Sequence, residues 1–306
     1  MNEQTSKTPL RGLGSRNPAD SKTRRYELAD LPLLDLVARK RALGLTVAVI
    51  IPCRNEAATV GTILAQITAS LYSVSEHDAN SLVDELIVMD DNSIDHTAAV
   101  ALAAGARVVR VADVLTSAGH GMGKGNALWA SVEVANSDVI VWCDGDLVSF
   151  TPEYVRRLVA PFVIDPNTAM VKGYYDRPLD SVGSGGGRTT ELVARPLFRL
   201  LFPELADITQ PLAGEYAIRR SVARQVPFAQ GYGVEAGLLI DVAALVGAAS
   251  IGEVDLGVRR HRHRTLEELG RQSAQVMHAI LLRAGLAESR MTAALPADRP
   301  PLNSLC

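Results

Sequence analysis

The chain has 306 residues, 47% of them hydrophobic and 21% charged, with a formal net charge of −3. That length suits one large α/β domain with a sizeable core. The near-neutral charge gives no electrostatic case for nucleic acid or an anionic membrane, so an anionic substrate has to be met by local basic groups. No charge-free apolar run reaches the roughly 18 residues of a membrane-spanning helix. The polar, mixed-charge N-terminus lacks the apolar core of a secretory signal. The cysteines Cys53, Cys143 and Cys306 are odd in number and spaced for no disulfide or zinc framework, which fits a reducing cytoplasm.

Residues 1–25, rich in Ser, Thr, Lys, Arg, Asn and Pro, read as a disordered arm. Tyr26–Leu43 carries apolar residues at helical spacing. An alternation follows: strand Thr46–Ile51, helix Ala57–Ser70, strand Glu85–Asp90, helix Thr97–Ala104, strand Arg107–Val111, helix Lys124–Val134 and strand Val139–Cys143. Apolar strands alternating with helices predict a mainly parallel, Rossmann-like sheet with helices on both faces. This half is bounded as 26–150. A second half, 151–286, opens with a helix over Pro152–Val163 and a strand over Ala169–Tyr175. The glycine-rich loop Ser181–Arg188 then enters a helix from about Thr189. The turn Gly231–Glu235 precedes a helix to Val246, and Ile251–Val258 forms a short strand. The last helix is Thr265–Ala284, with Thr265 and Glu268 as a capping box. Residues 287–306 read as a flexible, Pro-rich tail.

The strand Val139–Cys143 stops in Asp144-Gly145-Asp146. Two carboxylates at a sheet edge suit a hard divalent cation, which takes oxygen ligands from protein and phosphate. Alone, the pattern fits a solvated acidic turn equally well. Ligands of open α/β sheets bind beyond the carboxyl ends of the strands. Two more strands end in polar clusters, Pro52–Glu56 and Asp90–Asp95, which this topology brings to the same rim. Acidic and amide groups there can recognise a base and a ribose, or they can simply cap helices. Gly119–Lys124 precedes a helix but lacks ATPase phosphate-loop spacing; its glycines and Lys124 still suit a diphosphate. The Ser181–Arg188 loop offers a second anion site, combining backbone N–H groups, a helix start and a guanidinium. The run Arg259–Arg264 reads by itself as a solvated basic face.

Taken together, Val49–Glu56, Met89–Ser93 and Asp144–Asp146 resemble nucleotide-sugar glycosyltransferases of the GT-A fold. Gly186–Leu197, Gln210–Tyr216 and Gly231–Glu235 are similar to the retaining glucosyl-3-phosphoglycerate synthases. The resemblance covers about residues 45 to 285 and implies a C-terminal acceptor-binding extension, a cytoplasmic enzyme and a homodimer. It implies transfer of glucose from UDP-glucose to the 2-hydroxyl of 3-phosphoglycerate, with Mg²⁺ or Mn²⁺. Mannosyl transfer from GDP-mannose, or a different small anionic acceptor, is the alternative.

The same resemblance implies residue roles. Pro52, Cys53, Arg54, Glu56 and Asp91 would line the uridine pocket, and Lys124 would meet the donor diphosphate or sugar. Asp144, with Gly145 beside it, would contact ribose or sugar hydroxyls. Asp146 and His261 would hold the metal. Gly187, Arg188 and Thr190 would bind the acceptor phosphate, flanked by Tyr232 and His263. Glu235 would hold glucose hydroxyls, and the Leu212 backbone would lie by the reacting centre. The chain departs from the family at His263, Asp91 and Arg54, where Asn, Ser and an aliphatic residue are usual. No carboxylate nucleophile stands out, which favours same-face attack with the leaving phosphate as base.

Overall fold

A computed structural model describes residues 22–27, 32–72, 81–176, 187–259, 266–286 and 296–305. Within them the strands are β1 (Arg24–Tyr26), β2 (Val47–Cys53), β3 (Glu85–Asp90), β4 (Arg107–Arg110), β5 (Val139–Trp142), β6 (Met170–Asp176), β7 (Tyr216–Arg219) and β8 (Ile251–Val258). The helices are α1 (Leu33–Ala42), α2 (Val60–Ser70), α3 (Thr97–Ala103), α4 (Gly123–Val134), α5 (Glu153–Ile164), α6 (Arg195–Leu201), α7 (Arg220–Ala223), α8 (Val234–Val246) and α9 (Leu266–Arg283). All the strands join one sheet in the order β1-β8-β6-β7-β5-β2-β3-β4. Only β7 runs antiparallel to its neighbours, β5 and β6.

Side chains of a strand alternate between faces, and β2 shows it. Ala48 and Ile50 enter one core with Trp129, Trp142, Tyr216 and Phe228. Val47, Val49 and Ile51 enter the other, packed against α1, α2 and α5. The sheet is thus buried on both faces, as the apolar strands predict.

Three expectations need correction. The arm is not featureless throughout: Arg24–Tyr26 pairs parallel with Gly252–Val254, so α1 starts only at Leu33. Gly252 makes room for this, since a Cβ there would meet the Tyr26 ring at 2.6 Å. Strand β7 escaped prediction because it is short and ends in Arg219. The tail is docked over residues 296–305. Arg299 pairs with Phe228, Leu302 is buried, and Trp129 Nε1 donates to the Pro300 carbonyl at 2.8 Å. The segment from Thr190 to Ala194 winds as a π-helix before α6. Pro196 has no N–H, and its ring crowds the carbonyl four residues back; a wider turn relieves that clash.

Candidate active site

The site gathers where β5 ends. Asp144 Oδ1 lies 2.5 Å from Lys124 Nζ, and its Oδ2 lies 3.1 Å from an Arg259 terminal nitrogen. Lys124 also meets Glu235 Oε1 at 2.8 Å. Arg259 meets Glu215 Oε2 at 2.8 Å and donates to the Tyr175 hydroxyl at 2.6 Å. A row of alternating charge results, Glu235–Lys124–Asp144–Arg259–Glu215. Glycines make it possible. A Cβ on Gly125 would sit 1.9 Å from the Ala229 carbonyl, and one on Gly123 would sit 3.3 Å from the Gly231 Cα. Without side chains there, the start of α4 presses against the turn before α8, and Lys124 reaches Glu235.

The pairing sets the protonation states. Burial opposes the Asp144 charge, but Lys124 and Arg259 outweigh it and hold its pKa well below the carboxylate range. Burial likewise opposes the Lys124 ammonium, and Asp144 with Glu235 overrides it, so Lys124 stays charged. Glu215 is raised by complete burial, which Arg259 only partly offsets.

Below this row lies Lys172, fully buried on β6. It donates to the Ala213 carbonyl at 2.6 Å and sits 4.1 Å from the Tyr216 ring centroid. Burial lowers its pKa to about 7, partly offset by Glu235. This contact anchors the segment Leu212–Tyr216 beneath Asp144. Gly214 abuts the Asp144 carboxylate so closely that a Cβ there would lie 2.2 Å from Oδ2. Leu212 is half-buried two residues away and packs on the core.

The three polar strand ends do meet at one rim. A Cβ on Gly145 would lie 2.8 Å from Cys53 Sγ, 3.2 Å from the Pro52 carbonyl and 3.4 Å from Glu56 Cγ. Thr59 donates to the Gly145 carbonyl at 2.6 Å, and the Asp91 N–H donates to the Cys53 carbonyl at 2.9 Å. Asn55 and Asn92 adopt positive φ, 60° and 58°, and tie the loops together: the Asn55 N–H donates to Ser93 Oγ and the Ile94 N–H to Asn55 Oδ1. Asp91 is raised by burial, against the pull of the exposed Arg54. Glu56 is raised by burial and then by the charge of Asp146.

Asp146 is exposed at the mouth, with Arg259 3.9 Å away. Its carboxylate and that of Glu56 leave negative charge there on hard oxygen donors, which fits a divalent cation. No trio of metal-ligating side chains occurs among the described residues. His261 and His263 lie outside the described residues, as does Ser181–Gly186 of the glycine-rich loop.

The acceptor candidates lie along α9. Arg188 is exposed at the start of a helical run, next to the half-buried Gly187, and Thr190 is buried. Thr189 shares a 3.2 Å hydrogen bond with Ser273, and the Tyr232 N–H donates to Gln275 Oε1 at 2.8 Å. Ser273 and Gln275 both belong to α9, so one helix carries both groups. The turn bearing Tyr232 leads directly to Glu235 on α8.

Sequence reasoning missed Arg259, Glu215 and Lys172. Arg259 is only 7% exposed, contrary to a solvated basic face. It closes β8, and its partner Glu215 lies one residue before β7, so the pair joins two strand ends. Lys172 had a signal: a lysine amid the apolar Met170, Val171 and Gly173 of a buried strand.

Residues 48–226 match the family model described as Glycosyl transferase family 2. The glucosyl-3-phosphoglycerate synthase of Mycolicibacterium smegmatis is 42% identical over 291 residues, covering 89% of this chain and 93% of that protein. The chain belongs to glycosyl transferase family 2, in its glucosyl-3-phosphoglycerate synthase group. The glucosyl-3-phosphoglycerate synthase of Petrotoga mobilis is 38% identical over 253 residues, covering 81% of this chain and 76% of the relative. Among solved structures, that of glucosyl-3-phosphoglycerate synthase from Mycobacterium tuberculosis with Mn²⁺, UDP-glucose and phosphoglyceric acid is similar, at a TM-score of 0.80 and 39% identity. It covers 94% of this chain and 99% of its own. The same relative has been solved with Mn²⁺, UDP and glucosyl-3-phosphoglycerate, and with Mg²⁺ and UDP. The mainly parallel sheet of this glycosyltransferase is the fold expected of the family. No helix among its described residues is long and apolar enough to cross a membrane.

Proposed function

We propose that this glycosyltransferase moves glucose from UDP-glucose to the 2-hydroxyl of 3-phosphoglycerate, with retention and with Mg²⁺ or Mn²⁺. The observation that carries the reading is the row Glu235–Lys124–Asp144 at the end of β5, beside the rim formed by Cys53, Glu56, Asp91 and Gly145. The relative solved with UDP-glucose, phosphoglyceric acid and Mn²⁺ supports the choice of substrates.

In this reading Pro52, Cys53, Arg54, Glu56 and Asp91 receive the uridine, and Asp146 and His261 hold the metal. When bound, the divalent cation neutralises charge developing on the leaving diphosphate. Lys124 adds a fixed positive charge on the donor side. Asp144 and Glu235 orient ribose and glucose hydroxyls. Gly187, Arg188 and Thr190 hold the acceptor phosphate, with Tyr232 and His263 flanking it and the Leu212 backbone beside the reacting centre. Both carboxylates nearest that centre are neutralised by ion pairs, Asp144 by Lys124 and Arg259, and Glu235 by Lys124. A carboxylate so paired is a poor nucleophile, which supports same-face attack by the acceptor hydroxyl. The leaving phosphate then takes the proton. A homodimer working in the cytoplasm completes the reading.

The test crosses UDP-glucose and GDP-mannose against 3-phosphoglycerate and glycerate, with Mg²⁺ present, and follows nucleotide release. UDP release that needs 3-phosphoglycerate is expected. GDP release in its place reassigns the donor, and silence from both donors with 3-phosphoglycerate defeats the acceptor assignment.

A further inference from the structure

The docked tail touches the donor loop and the acceptor turn together. The Arg299 N–H donates to the Phe228 carbonyl at 2.8 Å, and the Phe228 N–H returns the bond at 2.9 Å. Gln230, two residues on, uses both ends of its amide. Its Nε2 donates to the Ala297 carbonyl at 2.7 Å, and its Oε1 accepts from the Met122 N–H at 2.8 Å. The Arg299 guanidinium then donates to two successive carbonyls, Ala118 at 3.1 Å and Gly119 at 3.0 Å. It also stacks over Trp129 of α4, 4.1 Å from the ring centroid.

These last contacts have a common geometry. The segment Gly119–Gly123 spans from the Ala118 carbonyl to the start of α4, which bears Lys124. Arg299 grips the first end by hydrogen bonds and, by stacking on Trp129, the body of the helix that follows the second. The segment needs such a grip. Gly119 and Gly123 adopt positive φ of 75° and 70°, and Gly121 would bring a Cβ within 1.9 Å of Asn126. A glycine-rich stretch has many alternative conformations in which Lys124 would be displaced.

Arg299 is also chemically conspicuous. It is 6% exposed, and no carboxylate lies within ion-pair distance among the described residues. Its buried Nε has no hydrogen-bond partner among the described residues. Arginine is costly to bury unpaired, whereas an apolar residue could fill the volume without that penalty. Its planar fork is what serves two carbonyls and a ring at once.

We propose that Arg299 is a positioning residue for the donor half of the site, fixing the Gly119–Gly123 segment and, through it, Lys124. This rests on the reading that the segment serves the donor diphosphate. The backbone contacts of the tail keep the acceptor turn in place, so the side chain acts on the donor alone.

The test uses the full chain with Arg299→Met, Arg299→Lys and Arg224→Gln. Arg224 holds the same tail further along, through Asn303, and pairs with Glu133 at the far end of α4; it touches no residue of Gly119–Gly123 and serves as the anchoring control. Two readouts are taken: calorimetric binding of UDP with Mn²⁺, and KM for each substrate. Arg299→Met is expected to weaken UDP binding and raise the UDP-glucose KM about tenfold, with the 3-phosphoglycerate KM moving less than about twofold. Arg299→Lys is expected to recover part of the loss, and it carries the test should the Met variant not fold. Arg224→Gln is expected to change neither. Unchanged UDP binding in the Arg299 variants overturns the proposal, whatever happens to Tm, and so does an equal rise in both KM values. If the wild type binds UDP but does not turn over, the acceptor reading fails while the binding readout still decides the role of Arg299.

Discussion

Replacing Gly214 by alanine should cripple the enzyme without removing any functional group from the site. The added Cβ would lie 2.2 Å from Asp144 Oδ2 and 2.6 Å from its Cγ, against an ordinary contact distance of at least 3.4 Å. The backbone at Gly214 is not in the left-handed region, so alanine introduces no φ strain. The clash therefore falls on the carboxylate, which has to retreat by about 1 Å from a place where Lys124 and Arg259 hold it. A misplacement of that size costs about a hundredfold in rate, or about 2.7 kcal/mol of transition-state stabilisation. Steady-state UDP release would be measured for Gly214→Ala, Asp144→Ala and the double variant. Once the Asp144 carboxylate is gone the methyl has nothing to displace, so the double variant should be no slower than Asp144→Ala alone. A Gly214→Ala enzyme within threefold of wild type (about 0.7 kcal/mol), or effects that simply add, would refute the argument that Gly214 exists to admit Asp144.

The remaining expectations concern charge. Lowering Lys172 from 10.5 to about 7 places a charge-burial cost of up to about 5 kcal/mol on the folded state. Because the folded pKa lies below the unfolded one, that cost is complete below pH 7 and shrinks as pH rises towards 10.5. The stability of wild type relative to Lys172→Met should therefore increase between pH 7 and 9 in denaturant titrations; a flat difference would mean that Lys172 does not titrate there. Asp146→Asn should lower kcat at least about a hundredfold and raise the Mn²⁺ concentration needed for half-maximal rate, and a near-normal kcat with unchanged metal dependence would remove Asp146 from the metal site. Burial, reinforced by Glu56 at Cys53 and by Glu215 at Cys143, raises both thiols. Alkylation at pH 8 read by peptide mass spectrometry should leave both unmodified in the native protein, and rapid labelling of either would contradict the packing around it.

Strands β2, β3 and β5 were legible because burial on both faces demands near-continuous apolar runs, and the helices between them followed from spacing. β1 was not, since Arg24 and Arg25 are exposed edge residues and its pairing depends on a glycine more than two hundred residues away. The tail was misread for a similar reason: Pro-rich composition suggests looseness, while the docking of Arg299 and Leu302 depends on partners that only the fold brings near. In the site, Asp144, Lys124 and Glu235 could each be picked out by local pattern and resemblance. Their mutual ion pairs could not, nor could Arg259, whose basic neighbours in sequence disguise a residue buried between two carboxylates.

The insertion of β7 between β5 and β6 bears on how the enzyme could be re-engineered. β5 belongs to the first half of the chain and β7 to the second, and β1 joins β8 across the same division. The two halves are woven into one sheet, so they cannot be exchanged as cassettes between relatives. On the acceptor site proposed above, new preferences would have to be grafted as loops around α9, on a sheet left intact.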